Sequence, residues 1–380
     1  MNPFALQRRP AVRCGSGASD DLGTLVSEMT ARRSNVLLVV DPVLRTLGLT
    51  GGIEDNLAGS HDLTVFDDLA SDPKEASVDA ALSIARECEV DAVIGLGGGS
   101  AMDAAKVVAA LAEEKGVCAP WRLSAAPYPW RRTLLVCVPT TAGTGSEATG
   151  TSIISQADGV KNWFWGPALV PDVAVLDPKL TVGLPPFWTF WTGVDAFVHA
   201  AESRTNRYRY EANDPIAERA ITRVARNLER AVTAPDDLNV RGEMLLAATE
   251  AGMAIANTGC AVAHNVGHAL GSLAGIPHGR AVGIAFLRSL DWAMEEQADA
   301  FDAVAHAMNL ADRRAIAPCL LEMADTCGQA FALDASERAA LTVAALADTM
   351  LAPANIDILR ATARDASRAD VERLAEAALS

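Results

Sequence analysis

Short apolar runs alternate with amphipathic stretches through the first half of the chain. "NVLLVVD" (35–41), "DLTVF" (62–66), "DAVIGLG" (91–97), "TLLVCVP" (133–139) and "DVAVLD" (172–177) are brief, rich in β-branched residues and bounded by Pro, Gly or Asp. That pattern predicts buried strands. Between them, "KEASVDAALSIARECE" (74–89) and "SAMDAAKVVAALAEEK" (100–115) repeat apolar residues at helical spacing. Alternating strands and helices predict a parallel sheet covered by helices. Beyond the breaker "LPP" (184–186) come long Ala-, Leu- and Glu-rich segments, 211–232, 241–258, 337–350 and 366–378, with few β-branched runs. Two domains are therefore expected: an α/β domain over residues 1–184 and an all-helical domain over 185–380. The Pro-rich "APYPWRR" (126–132) reads as an exposed excursion between a helix and a strand.

Half of the 380 residues are hydrophobic, enough for two cores. Lys and Arg number 32 against 48 Asp and Glu, a formal charge of -16. Such a surface argues against nucleic acid and anionic membranes as partners, since both need a positive face. Seven scattered cysteines form no CxxC pair and read as free thiols of a reducing cytoplasm. The start, "MNPFALQRRPAVRCGSG", has Arg8-Arg9 with no apolar run behind them, so neither a signal peptide nor a twin-arginine leader is expected. No apolar run approaches the roughly 18 residues of a membrane span. A soluble cytoplasmic protein is expected.

Two loops carry candidate chemistry. "GLGGGSAMDAAK" (95–106) leaves a predicted strand and opens a predicted helix. Gly97, Gly98 and Gly99 let a phosphate approach, and Ser100 stands near a helix N-terminus whose free N–H groups favour an anion. An ordinary tight strand–helix turn is the plain alternative. The spacing departs from the usual dinucleotide fingerprint, because Ser100 replaces its last glycine and the candidate acid, Asp41, lies far upstream. At a strand end Asp41 suits ribose hydroxyls and repels a 2′-phosphate, although Pro42 after it equally suits a turn. The second loop, "PTTAGTGSEAT" (139–149), gathers Thr140, Thr141, Thr144, Ser146 and Thr149 around two glycines, which suits a pyrophosphate or a nicotinamide amide. Two such loops at strand ends point to nucleotide binding.

Three of the six histidines fall within "HNVGHALGSLAGIPHG" (264–279). In "GVDAFVHA" (193–200), Asp195 and His199 are four apart and share one helix face; His264 and His268 repeat the spacing. Gly275 and Pro277 break the second helix, so that His278 can turn back towards it. One carboxylate and three imidazoles suit a divalent metal such as Fe(II) or Zn(II). Each histidine alone reads as a hydrogen-bonded core residue; the clustering favours a metal. His61 and His306 lack such company.

With these motifs in order, and with "LVPDVAVLDPKLTVGLPP" and "TGVDAFVHAAES" beside them, most of the chain resembles the iron-containing (group III) alcohol dehydrogenase family. The resemblance implies an N-terminal α/β dinucleotide-binding domain and a C-terminal all-helical metal-binding domain. It implies Asp195, His199, His264 and His278 as metal ligands, with Fe(II) expected and Zn(II) the alternative, and His268 as the non-ligand histidine of the active site. It implies NAD(H) held by Gly98, Gly99 and Ser100 with Asp103 nearby, by Thr140, Thr141, Thr144 and Thr149, and by Lys161 and the "TVGLP" turn (181–185), with Thr181 and Leu184, near the ribose. Asp41 matches the family's NAD-selecting acid. The chain departs from the family pattern at Asp72-Pro73, at Arg280, at Arg288 and Trp292, and at "NIDILRATARDAS".

The implied reaction interconverts a small primary alcohol and its aldehyde, with metal as Lewis acid and His268 relaying the proton. The substrate cleft is expected between the domains. "KNWFWGP" and "PPFWTFWTG" bring four of the seven tryptophans, Trp163 among them, beside these segments, as core packing or as the wall of a small pocket. Arg280 either binds an anionic tail, a carboxylate, sulfonate or phosphonate, or forms an ion pair. The rivals are a dehydroquinate-synthase-like lyase or cyclase using NAD transiently, and a glycerol-dehydrogenase-like zinc enzyme. The resemblance also implies a homodimer or higher homo-oligomer.

Overall fold

The structure, a computed structural model, describes residues 9–380; the part of the chain start up to Arg8, on which the expectation of no leader partly rests, lies outside them. The first half runs β1 (Ala11–Cys14), α1 (Leu22–Thr30), β2 (Asn35–Val40), α2 (Pro42–Thr46), α3 (Gly51–Ser60), β3 (Asp62–Phe66), α4 (Glu75–Glu87), β4 (Ala92–Gly97), α5 (Gly99–Leu111), β5 (Leu134–Pro139), β6 (Thr151–Ser155), β7 (Lys161–Trp165) and β8 (Val173–Leu176). Six strands form one sheet in the order β1-β8-β5-β4-β2-β3, and every neighbouring pair is parallel. Strand side chains alternate between faces. Val36, Leu38 and Val40 therefore pack with Leu22, Val26 and Leu57 of α1 and α3. Leu37 and Val39 pack with Val78 and Leu82 of α4 and Val107 and Val108 of α5 on the opposite face. Burial on both faces is why these strands read as continuous apolar runs. The five predicted strands are all present. Strand β1 and the antiparallel hairpin β6–β7 are additions.

The second half is helical: α6 (Pro186–Thr205), α7 (Asp214–Thr233), α8 (Leu238–Thr258), α9 (Val262–Ala274), α10 (His278–Met294), α11 (Ala298–Ala307), α12 (Ile316–Thr326), α13 (Ala335–Ala339), α14 (Val343–Met350), α15 (Ile356–Arg360) and α16 (Arg368–Leu379). Pro186 opens α6 at its first position, where the missing N–H costs nothing. The expected helix over 337–350 is two helices, because the Thr342 hydroxyl accepts from the Ala345 N–H at 3.2 Å and starts α14 afresh. Helix α10 lies close on α6: a Cβ at Gly279 would stand 2.3 Å from the Trp191 carbonyl oxygen, so only glycine fits there.

By compactness, among the described residues, Ala142–Thr144 and Leu184–Ser380 form a helical unit, while residues 9–141 and Gly145–Gly183 form the α/β unit. Among the described residues no single helix is long and apolar enough to cross a membrane.

Candidate active site

In the helical unit, α6 presents Asp195 and His199 on one face and α9 presents His264. Gly275, with φ of +68°, ends α9 in the left-handed conformation, and Pro277 precedes α10, whose first residue is His278. This turn returns His278 to the other three. Asp195 Oδ1 lies 3.6 Å from His264 Nε2 and 3.5 Å from His278 Nε2, and Oδ2 lies 3.9 Å from His199 Nδ1. Ligand atoms of all four residues lie within 4.8 Å of one another. Two atoms each bonded to a common Zn²⁺-sized ion at about 2.1 Å in tetrahedral array stand about 3.4 Å apart, close to these separations.

Asp195, His199 and His264 are buried, at 2%, 5% and 2% exposure. Asp195 Oδ1, His199 Nδ1 and His264 Nε2 have no hydrogen-bond partner. Leaving such atoms unpaired costs about 1–3 kcal/mol each, which a cation between them offsets. The donor set fits a divalent metal. Burial alone would raise the Asp195 carboxyl, but the imidazoles of His199, His278 and His264 hold it well below the ordinary carboxylate range.

Glu202, absent from the sequence expectation, supports this cluster. It follows Asp195 by seven residues, two helical turns along the same face of α6. Its Oε2 lies 2.6 Å from His264 Nδ1 and accepts the Ala261 N–H at 2.7 Å, while Oε1 accepts the Ala263 N–H at 2.6 Å. A carboxylate on Nδ1 assigns the proton to that nitrogen and leaves Nε2 to bind metal. Cys260 stands beside the same ring. Burial pushes its thiol up, but His264 and His199 bring it down to about 7.

His268 lies one turn beyond His264, its ring centroid 6.1 Å from that of His264 and 5.4 Å from that of His278. Arg280 is engaged elsewhere: its guanidinium pairs with Glu337 and donates to the Ala332 carbonyl at 2.6 Å, with 14% of the side chain exposed. The ion-pair alternative describes its placement.

In the α/β unit, Gly97 adopts φ of +150°, and a Cβ there would stand 3.0 Å from the Cβ of Asp41. Only glycine allows β2 and β4 to end so close together. Asp41 caps α2 by accepting the Val43 N–H at 2.9 Å. Gly98 is the N-cap of α5, and the side chain of Thr141 borders it. The Thr140 N–H donates to the Gly97 carbonyl at 3.0 Å, which joins the two loops. Gly98, Gly99 and Ser100 are partly exposed, while Ser100 Oγ donates to the Ser71 carbonyl at 2.5 Å. Lys161 pairs with Asp72 at 3.4 Å. Thr181 is buried and its hydroxyl donates to the Pro178 carbonyl at 2.9 Å. Leu184 and Thr144 group with the helical unit, and the Leu184 carbonyl accepts from Thr189 Oγ1 at 3.1 Å. Trp163, half-buried, faces Ile153 across the β6–β7 hairpin.

Residues 10–178 match the iron-containing alcohol dehydrogenase family and residues 189–379 match the C-terminal part of the Fe-containing alcohol dehydrogenase family. The chain belongs to the iron-containing alcohol dehydrogenase family. It is 34% identical to a 1-propanol dehydrogenase of Citrobacter freundii over 74% of this chain and 70% of that one. It is 32% identical to a sulfoacetaldehyde reductase of Bilophila wadsworthia over 70% of this chain and 69% of that one. The fold matches the crystal structure of the sulfoacetaldehyde reductase of Bifidobacterium kashiwanohense with NAD+, with a TM-score of 0.90, 24% identity and coverage of 99% and 98% of the two chains. The enzyme is a metal-dependent, NAD-linked alcohol dehydrogenase and aldehyde reductase; the lyase and cyclase reading is not favoured.

Two of the expected cofactor residues are engaged inside the α/β unit. Asp103 accepts Ser146 Oγ at 2.6 Å and the Ile153 N–H at 2.8 Å, with Lys106 Nζ at 3.5 Å. Thr149 Oγ1 accepts from Lys106 Nζ at 3.1 Å, and Lys106 also donates to the Thr151 carbonyl at 2.7 Å. Lys106 is wholly buried. Helix α5 thus grips the second loop from within, and these polar atoms are spent on protein partners. Lys106→Met leaves the largely enclosed Asp103 carboxylate without its cation, with only the Ser146 hydroxyl and the Ile153 N–H beside it, and a loss of up to about 3 kcal/mol is expected in urea unfolding of the α/β unit. Adding Asp103→Asn should restore part of it, because the two sites share one interaction.

Proposed function

We propose that the enzyme interconverts short, uncharged primary alcohols and their aldehydes, with NAD(H) as the hydride carrier and Asp195, His199, His264 and His278 as the ligands of Fe(II) or, alternatively, Zn(II). The observation that carries this reading is the trio of buried, unpaired donor atoms facing one another across α6 and α9. The bound metal supplies Lewis acidity to a substrate oxygen. Asp195 brings the one negative charge of the ligand set, and Glu202 fixes the His264 ring. His268 accepts the hydroxyl proton in oxidation and returns it in reduction, so that alcohol and NAD+ give aldehyde, NADH and one proton. In the α/β unit, Gly98, Gly99, Ser100, Thr140 and Thr141 receive the cofactor phosphates, and Asp41 favours NAD over NADP by repelling a 2′-phosphate. Asp103 and Thr149 act as anchors of the loop. A cytoplasmic homodimer or higher homo-oligomer belongs to the same reading.

A substrate with an anionic tail is the second reading, favoured by the likeness to the sulfoacetaldehyde reductase. Arg280 is a poor cation for it, since Glu337 already neutralises its charge. Steady-state NADH oxidation with propionaldehyde and with sulfoacetaldehyde tests the choice. The expected result is a higher kcat/KM for propionaldehyde, and an Arg280→Ala enzyme that changes both substrates alike. Preference for sulfoacetaldehyde, with a KM that rises selectively in Arg280→Ala, would overturn the uncharged reading.

A further inference from the structure

His268 has a neighbour from far along the chain. Its Nδ1 lies 3.4 Å from Oδ1 of Asn355, the N-cap residue of α15. The orientation of that amide is fixed from the other side, because Asn355 Nδ2 donates to the Thr349 carbonyl at 3.0 Å. Turned over, it would set two oxygens against each other. The atom presented to His268 is therefore an oxygen, which accepts only. A hydrogen bond to that oxygen needs the proton on Nδ1, and in the neutral ring Nε2 then bears the lone pair.

The segment that carries Asn355 is itself tied to α9. Asn265, fully buried between His264 and His268 in sequence, donates from Nδ2 to the Met350 and Asn355 carbonyls, both at 2.9 Å. One buried amide thus holds the turn, and the amide on that turn faces the histidine one helical turn further on. We propose that Asn355, held by Asn265, is the positioning residue that fixes the Nδ1–H tautomer and ring orientation of His268, making Nε2 the atom that exchanges the substrate's proton. The inference rests on the proton role proposed for His268. In oxidation the hydroxyl proton passes to Nε2 as the carbon gives its hydride to NAD+, while Nδ1–H stays directed at Asn355. In reduction the imidazolium returns the same proton to the oxygen.

The test compares Asn355→Ala, Asn355→Asp and His268→Ala in the Zn(II)-loaded enzyme. Asn355→Ala is expected to lower kcat by about 10–100-fold, less than the roughly 10²–10⁴-fold of a lost general acid–base group because His268 itself remains, with the KM for NADH unchanged. Asn355→Asp keeps an oxygen for Nδ1–H but loses the donor to Thr349, so recovery of most of kcat in this variant assigns the effect to His268. An Asn355→Asp enzyme as slow as Asn355→Ala would mean that Asn355 only holds the turn, and would overturn the inference. Nitrogen NMR of histidine-labelled enzyme gives the second readout. The wild type should show His268 protonated at Nδ1, Asn355→Ala should show a mixture, and an Nε2–H tautomer in the wild type would contradict the proposal. A slow His268→Ala beside a full-speed Asn355→Ala defeats this inference alone. A full-speed His268→Ala defeats the proton role itself, and the NMR tautomer then still decides whether Asn355 positions the ring.

Discussion

Asp195→Ala is expected to lose metal and NADH-linked turnover together, by more than the roughly 10–100-fold that follows removal of a group merely supporting a ligand. Asp195 is the one carboxylate among the four converging residues, and both its oxygens face ring nitrogens, Oδ1 at 3.5 and 3.6 Å and Oδ2 at 3.9 Å. Its removal leaves three imidazoles with no negative charge to balance a divalent ion. The fold should survive, because alanine fits a buried helical position and the neighbouring apolar residues of α6 keep their packing. Metal content by elemental analysis and the rate of NADH oxidation should fall in parallel, while the helical signal in circular dichroism is unchanged.

Removing Glu202 should weaken the site from behind. Glu202→Ala takes away the acceptor of His264 Nδ1 and of the Ala261 and Ala263 N–H groups at the start of α9. Freed from that carboxylate, the ring loses its orienting partner, and metal affinity is expected to drop by about 10–100-fold. Each buried N–H left without a partner costs about 1–3 kcal/mol, so the melting temperature should fall as well. Glu202→Gln separates the two effects. Its amide oxygen still accepts one donor, but its NH₂ group meets another N–H, so both losses should be intermediate. Metal titration and thermal unfolding of the two variants check this. Wild-type metal affinity in Glu202→Ala would remove Glu202 from the site.

The convergence of Asp195, His199, His264 and His278 was legible in part, because helical geometry acts over four residues and marks Asp195 with His199 on one face; the same spacing pairs His264 with His268, and only the family resemblance implied which imidazoles would be ligands. The buried strands were legible for a similar local reason, since burial on both faces makes the whole run apolar. Glu202 was missed although its signal, an acid two turns after Asp195, is local too; on most helices such an acid is a solvated one. Asp103 and Lys106, three apart, look like a surface ion pair, and only the packing of β6 against α5 buries them. Strand β1 is short and exposed at the sheet edge, so "AVRC" carries no apolar pattern. The fates of Arg280 and His268 depend on Glu337 and Asn355, 57 and 87 residues away, and no local pattern encodes such meetings.

The most direct measurement of the account is anaerobic NADH oxidation with propionaldehyde by the metal-stripped enzyme, before and after addition of one equivalent of Fe(II) or Zn(II). Negligible turnover is expected without metal, with recovery on adding at least one of the two ions and no recovery in Asp195→Ala. Full turnover by the stripped enzyme, or equal recovery in Asp195→Ala, would contradict this metal dependence.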